Sequence, residues 1–115
     1  MRIKLVSWNV NGLRALSAKP EWKWFARTDA RIVALQETKA HPEQLKELAS
    51  PEGWEAHWSS SHVKKGYSGV AVFSRMAPLA VCAELPDPRW QGEGRLLHLE
   101  FPDFHFFNGY FPNGG

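Results

Sequence analysis

Apolar and polar residues alternate over short stretches along most of this chain, and this pattern predicts strands more often than helices. The clearest stretch runs from Ile32 to Lys39, where four apolar residues are followed by Gln-Glu-Thr-Lys. A two-residue repeat there places Val33, Leu35 and Glu37 on one face of a strand. We therefore predict that Glu37 stands at the end of a rigid strand.

The same repeat predicts six further strands, each bounded by residues that favour turns. They are Arg2–Val10, Trp54–Ser59, Gly69–Arg75, Leu79–Ala83, Arg95–Phe101 and Phe104–Tyr110. From Trp54 onward, consecutive strands this close together are expected to pair antiparallel, with hairpin turns at 76–78 and 102–103.

Helical periodicity is confined to the first half of the chain. Pro20–Thr28 predicts a short amphipathic helix with proline in its first turn. Pro42–Ala49, with an acidic first turn and a stop before Pro51, predicts another. Early helices combined with many strands predict a layered α/β or α+β domain.

Composition is typical of one soluble globular domain. The chain has 115 residues, 43% hydrophobic and 23% charged, and its net charge of +2 permits an anionic partner without requiring one. A single cysteine, Cys82, excludes an internal disulfide and a cysteine-cluster metal site, and its apolar neighbours place it in the core. Because the first residues lack the uninterrupted apolar run of a secretory signal, we expect a cytoplasmic protein.

Four polar clusters end or follow the apolar strands. They are Asn9–Gly12, Gln36–Lys39, Gly66–Gly69 and Tyr110–Gly114. Strand ends that carry amides, a carboxylate and a phenol are expected to converge on one pocket. Taken alone, Glu37 is more often a solvated surface group than a ligand of Mg²⁺, so its interpretation depends on its context.

That context is a set of five segments that recur together. They are Ser7–Ala15, Leu35–Lys39, Gly66–Val70, Glu93–Arg95 and Asn108–Gly114. In order and spacing they resemble the exodeoxyribonuclease III and apurinic/apyrimidinic (AP) endonuclease group of the endonuclease/exonuclease/phosphatase superfamily. The resemblance implies an α/β fold, half of a four-layered DNase I-like sandwich with a mixed, mostly antiparallel sheet and flanking helices.

The resemblance also implies an activity and a cofactor. It implies a DNA repair nuclease of base excision repair that uses Mg²⁺ or Mn²⁺. Such an enzyme hydrolyses phosphodiesters at abasic sites and removes nucleotides from the 3′ ends of duplex DNA.

Roles for single residues follow from the same resemblance. It implies that Glu37 is the metal carboxylate, that Asn9 lies beside it in the metal and phosphate site, and that Tyr110 is a catalytic phenol at the scissile phosphate. The residues implied to follow the DNA backbone are Arg14, Tyr67, Arg95 and Asn113.

Two motifs of the family's second half, Gly-Asp-x-Asn and Ser-Asp-His, do not occur in this sequence. We therefore expect residues 1–115 to be the N-terminal portion of one domain, without its C-terminal half and inactive alone. The complete protein is expected to be a monomer that binds duplex DNA, without a membrane or a nucleotide cofactor.

Two alternative functions remain possible, and three residues have no assigned role. One alternative is a phosphatase of the same superfamily that acts on phosphoinositides or sphingolipids. The other is a non-catalytic fragment that binds DNA or folds only with a second chain. No role is assigned to Asn11, Lys64 or Lys65.

Overall fold

The computed structural model describes residues 2–61, 66–83 and 92–111, and within these ranges its strands form two sheets. The first sheet contains β1 (Leu5–Asn9), β2 (Ile32–Gln36), β3 (Glu55–Ser59) and β4 (Val70–Ser74). Its strand order is β1-β2-β4-β3, with β1 and β2 parallel and the other pairs antiparallel. The parallel pair brings the carboxyl ends of β1 and β2 to the same edge of the sheet.

The second sheet is antiparallel, with β5 (Ala80–Cys82), β6 (Leu96–Glu100) and β7 (His105–Gly109) in sequence order. The predicted hairpin at 102–103 is confirmed, since β6 and β7 pair across it. The predicted hairpin at 76–78 is wrong, because β4 and β5 lie in different sheets and the segment connects them. Local turn residues show where a chain bends but not which sheet its next strand joins.

The predicted helices are mostly 3₁₀ segments. One short α-helix, α1 (Leu13–Ser17), is followed by 3₁₀ segments at Pro20–Ala26, Pro42–Gln44 and Lys46–Ala49. The prediction of one helix over Pro42–Ala49 is wrong, because the φ of Lys46 is +53°, which a continuous right-handed helix does not allow. None of the helices in the described part of the chain is long and apolar enough to cross a membrane.

Two apolar cores fix the layers. Between the helical segments and the first sheet, Val33, Leu35 and Phe73 are buried against Leu13 and Phe25. Five of the six tryptophans are partly buried and pack against this core.

The second core lies between the two sheets. It joins Ile32, Val70 and Val72 of the first sheet to Leu97 and Leu99 of the second. Each fully buried aliphatic side chain contributes about 1.5–3 kcal/mol, so this core is the main force that holds the sheets face to face. The result is a helical layer on two stacked sheets.

Cys82 does not lie in either core. It is exposed on β5, a three-residue strand at the edge of the second sheet, so its predicted place in the core is wrong. An apolar run in the sequence cannot distinguish a central strand from an edge strand.

Candidate active site

Glu37 directly follows β2, and its backbone departs from the strand. Its φ is +55°, a left-handed conformation that interrupts the two-residue alternation after Gln36. The carboxylate accepts a hydrogen bond of 2.5 Å from Nδ2 of Asn9, which is paired with Gln36 across β1 and β2. The prediction that Glu37 continues the face of Val33 and Leu35 is therefore wrong, because the alternation holds only while the backbone is extended.

Both polar atoms of the Asn9 side chain are engaged. Its Nδ2 donates to Glu37, and its Oδ1 accepts a hydrogen bond of 3.1 Å from the backbone N–H of Asn11. A carboxylate can only accept hydrogen bonds, so the Asn9 amide must present its nitrogen to Glu37. In this arrangement Asn9 orients the carboxylate.

A lysine completes this group. Nζ of Lys39 donates a hydrogen bond of 2.7 Å to Oδ1 of Asn11 and lies 3.8 Å from Oε1 of Glu37. The side chains of Lys39 and Glu37 are 40% and 22% exposed, so both are reachable from solvent. Sequence reasoning missed Lys39, although it lies in the same strand-end cluster as Glu37.

Backbone hydrogen bonds join the loops that carry these residues. The N–H groups of Gly12 and Leu13 donate to the carbonyls of Glu37 and Thr38 at 2.7 and 2.9 Å. Further bonds join Thr38 to Gly69, Lys39 to Ser68, and Gly69 to Gly94. Three of the four predicted polar clusters are thus adjacent, on loops held by one continuous network.

The fourth polar cluster begins at Tyr110, directly after β7 of the second sheet. Tyr110 follows β7, and its N–H donates to the carbonyl of Arg95 at 2.9 Å. Tyr110 and Asn9 line the same cavity of about 400 Å³ between the open edges of the sheets. Glu37 adjoins this cavity through its hydrogen bond with Asn9.

Two amides on the floor of this cavity were also missed from the sequence. Nε2 of Gln36 donates to Oδ1 of Asn108 at 2.8 Å and to Oγ of Ser7 at 3.1 Å. Nδ2 of Asn108 donates to the carbonyls of Leu35 and Ala71 at 3.0 and 2.9 Å. This bridge ties β7, and hence the start of the Tyr110 segment, to the centre of the first sheet.

Arg95 lies between the two tyrosines of the site. Its guanidinium donates to the hydroxyl of Tyr67 and to the Glu93 carboxylate, the latter at 3.2 Å. The guanidinium carbon is 5.1 Å from the ring centre of Tyr67 and 5.7 Å from that of Tyr110. The Arg95 side chain is 12% exposed, so it fixes both rings and places positive charge beside Tyr110.

Among the described residues predicted to contact DNA, Arg14 does not line this cavity. Arg14 is exposed on α1 and lines a separate open cavity of about 770 Å³ next to the two later 3₁₀ segments. Asn113 lies outside the described residues, as do Lys64 and Lys65. DNA contact by Arg14, Tyr67, Arg95 and Asn113 stays a prediction.

The donors present fit a hard divalent cation. Glu37 offers a carboxylate and Asn11 an amide oxygen, while no group of three or more His, Cys, Asp or Glu side chains occurs within residues 2–61, 66–83 and 92–111. Mg²⁺ binds through one or two carboxylates, keeps several waters and takes substrate phosphate oxygens. A structural zinc site would need a closed set of four nitrogen or sulfur ligands. The donor set therefore suits Mg²⁺ or Mn²⁺.

The sequence matches one family model over residues 6–113, that of the Endonuclease/Exonuclease/phosphatase family. It is 42% identical over 112 residues to an exodeoxyribonuclease of Bacillus subtilis, a match that covers 96% of this chain and 43% of the relative.

Solved structures share the fold. An AP endonuclease from Archaeoglobus fulgidus matches with a TM-score of 0.79 and 25% identity, over 96% of this chain and 42% of that one. A 3′ phosphatase from Neisseria bound to product DNA matches with a TM-score of 0.77 and 30% identity, over 98% and 43%. The predicted α/β fold is confirmed, and the chain spans less than half the length of each of these proteins.

Proposed function

Because this chain belongs to the endonuclease/exonuclease/phosphatase family, we propose that it is the N-terminal portion of a metal-dependent DNA repair nuclease. Its substrate is duplex DNA, cleaved at abasic sites and from 3′ ends. The observation that carries the proposal is that Asn9 and Tyr110, from two separate strand ends, line one cavity, while Asn9 also holds the carboxylate of Glu37 from a third strand end. The names of the relatives, an exodeoxyribonuclease and an AP endonuclease, support the same chemistry.

Each residue has a distinct task in this proposal. Glu37 holds Mg²⁺ or Mn²⁺, which when bound neutralises charge on the phosphate oxygens. Asn9 keeps the Glu37 carboxylate in one orientation through its 2.5 Å hydrogen bond. The phenol of Tyr110 donates a hydrogen bond to a phosphate oxygen, and Arg95 fixes its ring.

Turnover also needs a base for the attacking water and an acid for the leaving oxygen. The described residues that line the Tyr110 cavity carry neither a carboxylate nor an imidazole. We therefore propose that residues 1–115 bind the cation but do not hydrolyse DNA unaided.

A chimaera tests the activity. Residues of this chain replace the matched 112-residue stretch of the Bacillus subtilis exodeoxyribonuclease. With Mg²⁺ the purified chimaera is expected to nick abasic-site duplex DNA, and a chelator is expected to abolish the nicking. Glu37→Gln in the chimaera is expected to lower kcat by about 100-fold or more, because the cation loses the Glu37 carboxylate, its proposed anionic ligand in this chain.

Glu55→Gln is the matched control for this test. Glu55 is a carboxylate on β3, with its side chain 51% exposed, and it lies outside the cavity. Its removal is expected to leave nicking unchanged. A folded chimaera that cuts equally well with Glu37→Gln would overturn the assignment of Glu37.

A DNA 3′ phosphatase is the second candidate, favoured by the likeness to the neisserial enzyme. The same cavity residues would act on a terminal phosphomonoester. Release of inorganic phosphate by the chimaera from 3′-phosphorylated duplex DNA, compared with nicking at abasic sites, separates the two activities. Faster release from a phosphoinositide than from either DNA substrate would favour the lipid phosphatase instead.

A further inference from the structure

The Lys39 ammonium lies where it balances the charge of the candidate metal ligand. Its Nζ is 3.8 Å from Oε1 of Glu37 and 2.7 Å from Oδ1 of Asn11. Glu37, Lys39 and the neutral Asn11 together carry no net formal charge. A divalent cation that approaches Glu37 therefore meets a carboxylate whose negative potential is already offset by a nearby ammonium.

Lys39 is held in this place by its backbone and remains movable at its tip. Its backbone N–H donates to the carbonyl of Ser68 at 2.9 Å. Its φ of +53° is left-handed, so its side chain does not follow the alternation of an extended strand. The ammonium end is carried by a flexible four-carbon stem and its side chain is 40% exposed. It can leave Glu37 for another acceptor without moving the loop.

A phosphate oxygen is such an acceptor. Lysine binds phosphate as a compact point charge with three donors. When phosphate is present, the ammonium can turn from Glu37 and Asn11 to the phosphate, which removes its repulsion from the cation site and frees the Asn11 oxygen.

We propose that Lys39 couples cation binding to phosphate binding at this site. Without phosphate, Lys39 weakens the binding of Mg²⁺ or Mn²⁺ at Glu37. With phosphate, it donates to the phosphate and the cation binds more tightly. Lys39 is thus a positioning residue that keeps the affinity for the cation low until a nucleic-acid phosphate binds. This inference rests on the proposed function, which supplies the cation.

The coupling is measured as Mn²⁺ affinity from water-proton relaxation, on the 115-residue chain with and without a short blunt duplex DNA. Unmodified chain is expected to bind Mn²⁺ several-fold more tightly when DNA is present. Lys39→Met is expected to bind Mn²⁺ about three- to tenfold more tightly without DNA, since one nearby positive charge is removed. In this variant, added DNA is expected to tighten Mn²⁺ binding by a smaller factor than in the unmodified chain, because only the direct contact of the cation with phosphate oxygens remains.

Matched variants separate this effect from folding and from total charge. Lys46→Met also removes one positive charge from a residue with a φ of +53°, but on a 3₁₀ segment outside the site, and is expected to behave as the unmodified chain. Lys39→Arg is expected to retain the coupling between phosphate and cation binding, because it keeps the positive charge. Lys39→Gln provides a second neutral variant, and circular dichroism verifies that each one folds.

The outcomes are distinguishable. Unchanged Mn²⁺ affinity and unchanged coupling in Lys39→Met and Lys39→Gln would overturn the role of Lys39 while leaving the proposed cation site intact. The Glu37→Gln chain tests that site separately, and it is expected to lose specific Mn²⁺ binding. If neither the unmodified chain nor Lys39→Met binds Mn²⁺ in a Glu37-dependent manner, both the cation site and the coupling are overturned.

Discussion

Left-handed residues other than glycine are concentrated in the loops of the candidate site. Asn11, Glu37, Lys39 and Ser68 have φ values of 46°, 55°, 53° and 57°. Such conformations cost about 1 kcal/mol or more each and persist where the surroundings impose them. Here the backbone hydrogen bonds between the loops impose them, and the result is a carboxylate, an amide and an ammonium directed at one another.

Gly94 anchors this network and provides a stability prediction. A Cβ at this position would lie 2.6 Å from the backbone carbon of Ser60 and from the nitrogen of Ser61. Since backbone atoms cannot move aside cheaply, Gly94→Ala is expected to lower the free energy of unfolding by about 3 kcal/mol or more. Urea unfolding followed by circular dichroism measures the change.

Gly53→Ala is the control for the Gly94 variant. Gly53 also has a positive φ, +87°, but a Cβ there meets nothing within 4 Å. It is expected to cost only about 1 kcal/mol, the strain of the left-handed conformation. Equal destabilisation by the two variants would show that the close approach at Gly94 does not matter.

In the second sheet, β7 is the strand that links most directly to the site. Asn108 is 3% exposed and makes hydrogen bonds to Gln36, Leu35 and Ala71 of the first sheet. The apolar core between the sheets holds the faces together without specifying their exact offset. The Asn108 bridge specifies it, and so sets how far Tyr110 lies from Asn9 and Glu37.

Asn108→Leu keeps the approximate volume and removes the bridge. The free energy of unfolding is expected to fall by about 2–4 kcal/mol, because Gln36 loses one of its two acceptors and the buried carbonyls of Leu35 and Ala71 each lose a donor. Ser7→Ala, which removes one acceptor of Gln36 at an exposed position, is expected to cost about 1 kcal/mol or less. Urea unfolding of both variants tests this, and an Asn108→Leu chain as stable as Ser7→Ala would contradict it.

The assembled chain covers one face of the first sheet with helical segments, whereas the outer face of the second sheet is exposed. On that face the ring of Phe107 is stacked on His98, with ring centres 4.2 Å apart, and Phe107 is 61% exposed. Within the described residues β7 pairs only with β6, so its other edge is unpaired. An exposed edge beside an exposed aromatic ring favours pairing with another chain.

We therefore expect the 115-residue chain alone to self-associate at high concentration through β7. Phe107→Asp is expected to lower its sedimentation-average mass, because it places a charge on the exposed strand. Leu79→Asp changes a similarly exposed residue, 65%, that lies just before the three-residue β5, and is expected to leave the mass unchanged. If the unmodified chain is a monodisperse monomer at the same concentration, self-association through the β7 edge is refuted.

The strands were predictable because alternation records which face of each strand is buried. All seven predicted strands occur, each one to three residues shorter at an end than its pattern. The helix over Pro42–Ala49 was not predictable in the same way, because an amphipathic pattern does not distinguish an α-helix from two 3₁₀ turns. Glu37, Asn9 and Tyr110 were singled out from the sequence and their roles stay predictions, whereas Lys39, Gln36 and Asn108, which the structure places beside them, were missed.

The amino-acid pattern was sufficient to establish the strands, the polar residues at their ends and the resemblance to a family, because each is written in local spacing and in motifs. It could not establish which side chains meet. Asn9 and Glu37 are 28 positions apart, and Gln36 and Asn108 are 72 apart. Their contacts depend on the stacking of two sheets and on left-handed backbone at the strand ends, and both arise only when distant segments pack together.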